Sequence, residues 1–543
     1  MKPYNKIDLT VESDGSEGES SSADDKSTST IPRKDRFHYD ECTPTSSEEE
    51  EEDEKEVIVK KKVSTEKEDS GTSLYNNLSQ SQKKALDLVI KERRSVFITG
   101  SAGTGKSHLI RTLKWFLNHK EISYHISATT GSASFLLEGT TIHRFGFGMQ
   151  NGEVKEIVKK TKKYDREKIA RWKSLRVLII DEISMLPPDY FDKLNLYAQE
   201  IREIHGIPFG GLQLVLVGDF LQLPPVNKER HPSPLANKYV FQTTSWASLK
   251  LQLVKLDTCF RQSEDEEWKK ILDGIRIGEL TEENCKKLRE RSAEASSSSF
   301  TSKPLKLPDN LTKLLGRRSR VQEINTNELT KIESPAKFFN GTTTEHGGGR
   351  GGRKNNDSLH TDKSTFAVDE FIQLKKGALV ILCANLDVNS GLCNGSKGKV
   401  IGFTDDKNNT NSDDSDDQEE EEKNDKKKKG KPTHVRCYPI VQFFNGIIMT
   451  IEEYTWKIFE GKTHVLSFTQ IPLILSYAIT IHKCQGLTLD KALVEMNFFE
   501  NGHAYVALSR VRKLDDLFLS CFSTKDIKAD PLVIKYYTVN KLL

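Results

Sequence analysis

Apolar residues along this chain fall into two rhythms. From Leu78 to Ile90 (LSQSQKKALDLVI) they recur at helical spacing, behind a serine suited to cap a helix. Beyond it come short apolar runs, SVFITG, ISATT, VLIID and LQLVLVGD, each closing on small or polar residues. These read as buried strands, and intervening stretches such as HLIRTLKWFL read as helices. The alternation, sustained to about residue 256, predicts a parallel α/β sheet with its working residues in loops after the strands. From about 257 the rhythm loosens. GALVILCAN, GKVIGF and HVRCYPIVQF are β-rich runs suited to a small inserted barrel, and LILSYAITIHKCQGLTLDKALV returns to strand–helix–strand character.

Three segments break the pattern. Residues 1–72 are rich in Ser, Thr, Glu and Asp, with an unbroken acidic run from Glu48 to Glu52. Such a segment buries too little apolar surface to offset its ordering entropy, which predicts a disordered acidic tail. Gly347–Asp357 (GGGRGGRKNND) and Asp405–Lys431 read as surface loops. The 543 residues carry a formal charge of +2, which alone says little about a polyanionic partner. The acids are concentrated in the low-complexity runs, however, so the folded remainder is basic, as binding to nucleic acid requires. Eight cysteines form no CxxC pair and no zinc-spaced cluster with histidine, so they read as reduced thiols. No apolar stretch has membrane-spanning length.

The chemistry begins at Gly100-Ser101-Ala102-Gly103-Thr104-Gly105-Lys106-Ser107, a full match to G-x-x-x-x-G-K-[ST] between a strand and a helix. Glycines let the loop curl so that its N–H groups converge on phosphate oxygens; Lys106 neutralises the β- and γ-phosphates, and Ser107 binds magnesium. Downstream, the strand VLIID ends in paired acids. Asp181 is suited to hold the magnesium ion through water and Glu182 to polarise the attacking water. A third strand end, LVLVGDFLQLPPV, presents Asp219 and Gln222, whose amide can hydrogen-bond a γ-phosphate. ATP and Mg2+ are the implied ligands.

With these motifs, the ordered set LSQSQ, GSAGTGKS, ATTGSASFLLEGTTIHRF, IIDEISML, GDFLQLPPV, FRQ, NGSKGKVIGF, YAITIHKCQGLTLD and HAYVALSRVRKLDDL resembles the petite-integration-frequency (Pif) family of superfamily-one 5′-to-3′ DNA helicases. The resemblance runs from Leu78 to Leu519. It implies two RecA-like parallel-sheet domains with ATP in the cleft between them. The boundaries would be a disordered acidic tail at 1–72 and a first RecA-like domain at 73–256, with a small basic insertion at about 150–176. A second RecA-like domain would follow at 257–376, with the low-complexity loop 344–358. It would be interrupted by an SH3-like β domain at 377–470, carrying the charged loop 405–431, and closed by 471–543. By the same resemblance Gln82 reads the adenine, Gln222 senses the γ-phosphate, and Gly486 of HKCQG lies near the phosphates. Arg261 of FRQ and Arg510 of ALSR reach across as arginine fingers, where a guanidinium fork can neutralise charge on the transferred group. The family's motifs carry proline at Thr130 and serine at Cys484, so grip on the strand is where this chain departs.

The resemblance lays residues 129–145 along a DNA strand, where hydroxyls and backbone N–H groups hold phosphate without reading bases. Thr129, Gly131, Thr141 and His143 are the candidates, with His482 and Lys483 in the second domain. A hydrogen-bonded structural role for His143 stands beside the functional one. Phe145 and Phe147 fit base stacking, although this spacing is more often core. Lys155 to Arg176 holds ten Lys or Arg and three acids. The family places an insertion there, near the point where a duplex splits.

The expected function is therefore an ATP-dependent DNA helicase moving 5′ to 3′ on single-stranded DNA and unwinding duplex or forked DNA in genome maintenance. The polarity rests on the resemblance alone, and RNA satisfies the same phosphate contacts. Two competing readings are a nucleic-acid-stimulated translocase or remodeller that separates no strands, and a nucleotide-gated binding module. Intact Lys106, Glu182 and two candidate fingers argue against the latter. The acidic N-terminus and Lys426–Lys429 point to the nucleus, with the mitochondrion as the alternative.

Overall fold

The computed structural model describes residues 72–543 except 149–151, 226–236, 293–306, 309–310, 346–367, 388–389, 405–436 and 461–462. The expected acidic tail (save Thr72) and the segments Gly347–Asp357 and Asp405–Lys431 lie outside the described residues.

The helix Gln80–Ile90 starts where its sequence says it should. The Ser79 hydroxyl accepts the Gln82 N–H while the Gln82 side chain accepts the Ser79 N–H, a reciprocal cap. Behind it lies a six-stranded sheet of β1 (Val96–Gly100), β2 (Tyr124–Ala128), β3 (Thr140–Thr141), β4 (Val177–Asp181), β5 (Gln213–Val217) and β6 (Gln252–Leu256). Every pairing is parallel and the order is β3-β2-β4-β5-β1-β6. Strands β1 and β4 are buried along their whole length, which is why VFITG and VLIID read as continuous apolar runs. The order sets the carboxyl ends of β2, β4, β5 and β1 side by side, so one rim gathers four motif loops.

The basic stretch forms two helices, Val154–Tyr164 and Arg166–Ser174. Ile157, Val158 and Trp172 anchor them in the first-lobe core, which also contains Phe145 and Phe147. Phe145 stacks between His125 and Trp172 with centroids 3.8 and 4.7 Å away, and Phe147 stacks on Tyr190 at 4.5 Å. Both phenylalanines are core residues, 4% and 3% exposed, and offer no face to a base.

A second parallel sheet opens with β7 (Thr312–Leu315). The chain then leaves it for β8 (Ala336–Asn340), β9 (Thr342–Glu345), β10 (Phe371–Lys375), β11 (Leu379–Leu382), β12 (Lys397–Phe403), β13 (Pro439–Phe443), β14 (Ile448–Thr450), β15 (Tyr454–Glu460), β16 (Thr463–Gln470) and β17 (Leu473–Leu475). These strands are antiparallel and share one core that includes Leu374, Val380, Val400, Val441, Trp456, Phe468 and Leu473. The expected boundary at 377 therefore falls inside this β unit. Strand β10 pairs with β8 and buries Ile372 and Leu374 in the same core, so the unit begins near Ala336. The chain returns as β18 (Ala478–Thr480), β19 (Ala492–Val494) and β20 (Leu517–Leu519), closing a parallel sheet of order β18-β7-β19-β20.

The last helix, Pro531–Val539, departs from the expected assignment of 471–543 to the second domain. Its Val533 and Tyr537 lie in the first-lobe core with Phe97, Phe220 and Trp246.

Candidate active site

The loop after β1 curls as its glycines allow. Gly103 and Gly105 hold φ of +84° and +77°, where side chains are strained. A Cβ on Gly103 would lie 2.5 Å from the Arg261 Cβ, and one on Gly105 would lie 2.6 Å from the Gln82 amide nitrogen. The Thr104 hydroxyl closes the loop by donating to the Ser101 carbonyl at 2.9 Å. Lys106, first residue of the helix Lys106–His119, donates through Nζ to the Gly100 and Ser101 carbonyls at 2.7 and 2.9 Å. Burial lowers its pKa, against the opposing pull of Asp219, Glu182 and Asp181.

At the end of β4, Asp181 accepts the Glu182 N–H at 2.9 Å. Burial raises the Asp181 carboxyl to about 6, and burial together with Asp181 raises Glu182 to about 8. Glu182 sits in the left-handed region at φ 53°, ψ 41°, a conformation that costs a non-glycine residue about 1–3 kcal/mol. Thr129 holds this turn, its hydroxyl donating to the Glu182 carbonyl at 2.9 Å and its N–H to the Asp181 carbonyl at 3.3 Å. Glu182 Oε2 is buried with no protein partner. Ser107, the second residue of the helix Lys106–His119, is exposed. A hydroxyl and two carboxylates, one of them with an unsatisfied oxygen, make an all-oxygen donor set that fits a small divalent cation retaining waters.

A cavity of about 520 Å³ is lined by the loop from Ala102 to Ser107 and by Glu182, Gln222, Arg261, Gly486 and Arg510, with Asp181 just behind Glu182. Both arginines therefore face Lys106 across one cleft. Arg510, 2% exposed, is held by the Val506, Cys484 and Leu487 carbonyls at 2.7, 3.4 and 3.4 Å. Burial and the neighbouring Arg510 charge lower Arg261 to about 9. Arg261 does not stand wholly in the second lobe. The Phe260 N–H donates to the Gly103 carbonyl at 2.9 Å, while Arg261 donates to the Ser509 carbonyl at 3.2 Å. Its loop therefore bridges the two lobes.

Gln82, the expected adenine reader, is engaged within the protein. It is 1% exposed, its oxygen is spent on the Ser79 N–H at 3.0 Å, and its nitrogen faces the Thr104 and Gly105 carbonyls at 3.3 and 3.5 Å. The geometry makes it a brace for the phosphate loop. The residue that sequence reasoning missed is its neighbour Phe260, 50% exposed and lining the cavity. The aromatic residue directly before Arg261 in FRQ was the available signal. Tyr505 was also missed; its hydroxyl accepts the Ala102 N–H of the phosphate loop at 2.7 Å from the helix His503–Leu508.

The strand-contact candidates sit at the carboxyl ends of the two sheets. Gly131 starts a short helix after β2, and the Thr141 hydroxyl caps the helix Ile142–Phe145. His143 packs against the Tyr190 ring at 4.6 Å and has no free-standing position. His482 is half-buried beside His503, with ring centroids 5.5 Å apart, and Lys483 pairs with Asp369 at 3.3 Å. His482 and Lys483 line a separate cavity of about 900 Å³ with Arg318, Asn325, Phe371 and Lys375. The structure thus gathers the nucleotide candidates in one cleft and leaves the strand candidates on two rims.

Comparison with known proteins matches residues 77–286 to the PIF1-like helicase model and residues 361–403 to the DNA helicase Pif1 2B domain model. The ATP-dependent DNA helicase PIF7 of Trypanosoma brucei brucei is 33% identical over 506 residues, covering 85% of this chain. The chain spans 48% of that relative's length. The crystal structure of Pif1 helicase from Candida albicans is 31% identical with a TM-score of 0.61, covering 85% of this chain and 99% of that one. Bacteroides Pif1 in complex with ADP-AlF4 is 27% identical with a TM-score of 0.66, covering 86% and 97% respectively.

Proposed function

The chain belongs to the PIF1-like helicase family, and from that membership we propose that it is an ATP-driven DNA motor that moves 5′ to 3′ along single-stranded DNA and unwinds duplexes. The observation that carries the reading is the single cleft in which Lys106, Glu182, Gln222, Arg261 and Arg510 converge. A binding module needs the phosphate loop but neither a buried carboxylate beside it nor two opposed guanidinium groups. The domain assignment follows: two RecA-like lobes, with the antiparallel unit inserted in the second.

In this account Lys106 and the loop N–H groups hold the β- and γ-phosphates. Phe260 offers a flat apolar face for the base while Gln82 fixes the loop beneath it. Ser107 and Asp181 would hold the magnesium ion, which when bound supplies positive charge at the phosphate oxygens. Glu182 takes the proton of the attacking water; burial raises the affinity of its carboxylate for that proton. Arg510 and Arg261 neutralise charge that develops on the transferred group. Closure of the cleft brings the lobes together, and loss of the γ-phosphate at Gln222 releases them. The rims at Thr129, Gly131, Thr141 and His143, and at His482 and Lys483, then grip the strand alternately. Exposed Lys and Arg on the helices Val154–Tyr164 and Arg166–Ser174 suit them to meet the duplex backbone. The nucleus is the proposed compartment.

Arg510→Ala is expected to lower kcat for ATP by about 1,000-fold while changing KM less than about threefold. Equal loss of both in steady-state assays would count against a role confined to the transition state. Thermal melting is followed in parallel, because the same guanidinium holds three carbonyl groups. Phe260→Ala is expected to raise the KM for ATP about 5- to 150-fold with little effect on kcat, the worth of one base–aromatic stack. An unchanged KM would remove Phe260 from the base site. Function itself is tested by strand-separation assays on duplexes with a 5′ tail, a 3′ tail or an RNA strand, with ATP consumption followed together. Unwinding of 5′-tailed DNA is expected; activity confined to 3′ tails would refute the polarity, and ATP consumption without strand separation would favour the remodeller.

A further inference from the structure

A second charged cluster crosses between the lobes, behind the sensor loop and outside the nucleotide cavity. Asp219, fully buried, follows β5 in the first lobe. Arg276, 6% exposed, comes from the helix Glu266–Ile277, whose Trp268, Ile271 and Ile275 lie in the second-lobe core. The two meet by a paired contact, Nε to Oδ2 at 3.0 Å and Nη2 to Oδ1 at 2.8 Å. Tyr537 of the last helix completes the cluster. Its hydroxyl donates to Asp219 Oδ1 at 3.2 Å, accepts the Phe220 N–H at 2.9 Å and lies 2.8 Å from the Thr99 hydroxyl. Its ring faces the Arg276 guanidinium at 5.6 Å.

This cluster governs where Gln222 sits. The Gln222 N–H donates to the Asp219 carbonyl at 3.0 Å, and its side-chain nitrogen faces Asp219 Oδ2 at 3.4 Å. On the other side Gly502 of the second lobe packs against the Gln222 backbone so closely that no Cβ fits there. A buried, two-bond ion pair is costly to separate, because each charge would remain in the interior without its partner. Opening the cleft by parting Asp219 from Arg276 is therefore the expensive route. Rotating the lobes about that contact, with the phosphate loop and Arg510 moving apart, preserves it.

We propose that Arg276 is a positioning residue for the phosphate sensor, acting on Gln222 through Asp219, and that Asp219, Arg276 and Tyr537 form the fixed joint about which the cleft opens. This rests on the ATP-motor reading and deepens it. The joint also gives the last helix a part in the motor, since Tyr537 ties it to Thr99 just before the phosphate loop.

The test uses the full chain with Arg276→Lys, which keeps the charge and loses the planar fork. ATP turnover is measured with and without a single-stranded oligonucleotide. The joint predicts that DNA-stimulated kcat falls about tenfold or more while KM for ATP stays within about twofold. A stimulated kcat within about twofold of the wild type, or kcat and KM lost together, overturns the proposal. Should Arg276→Lys fail to fold, Tyr537→Phe decides, since it removes one hydroxyl. A loss of stimulation of about threefold or more supports the joint, and unchanged stimulation overturns it. Wild-type protein that shows no DNA-stimulated turnover would bring down the motor reading instead, so the two failures are distinguishable.

Discussion

Replacing Lys106 with alanine is expected to lower ATP turnover by about 1,000-fold and to abolish strand separation, with the fold intact. The ammonium group is the only cation on the phosphate loop itself. It now donates to the Gly100 and Ser101 carbonyls, so it is already aimed across the mouth of the loop. Burial lowers its pKa, and an incoming polyphosphate would reward its charge. Alanine at the first position of the helix Lys106–His119 is a good helix former, so circular dichroism and melting should change little. Turnover retained within tenfold of the wild type would mean that the phosphates are held elsewhere.

Glu182→Gln is expected to separate binding from chemistry. Glutamine keeps the length and shape of the side chain but accepts no proton, so ATP should bind with near-native affinity while kcat falls roughly 100- to 10,000-fold. The strained left-handed backbone at Glu182 aims the carboxylate, and the Thr129 contacts that hold the turn do not involve the side chain. The variant should therefore trap a nucleotide-bound state. A fall in ATP affinity as large as the fall in kcat would show that Glu182 holds the substrate rather than activating water. The two variants fail differently: Lys106→Ala loses the phosphates, Glu182→Gln only the reaction.

What could be read from the chain before its fold was known follows the range of each interaction. Gly100–Ser107, Asp181–Glu182 and the strands ahead of them are contiguous patterns, and the structure places them in the expected loops. Phe145 and Phe147 resolved to core because their partners, His125, Trp172 and Tyr190, come from other elements. The Gln82 amide is claimed by a cap and by the loop it braces, a competition invisible in LSQSQ. Strand β8 pairs with β10 across a long intervening segment, so no local signal marked Ala336 as the start of the β unit. Tyr537 and Asp219 lie hundreds of positions apart in the chain yet are joined by one hydrogen bond, and nothing in either neighbourhood announces the other. Local chemistry was legible; the contacts that couple the lobes were not.

Steady-state ATP hydrolysis by the unmodified chain, titrated with a single-stranded oligonucleotide, bears most directly on the central claim that the cleft is a motor coupled to a strand. Turnover is predicted to rise about tenfold or more and to saturate with DNA concentration. Hydrolysis that ignores DNA at every concentration, or no hydrolysis in its presence, would contradict it.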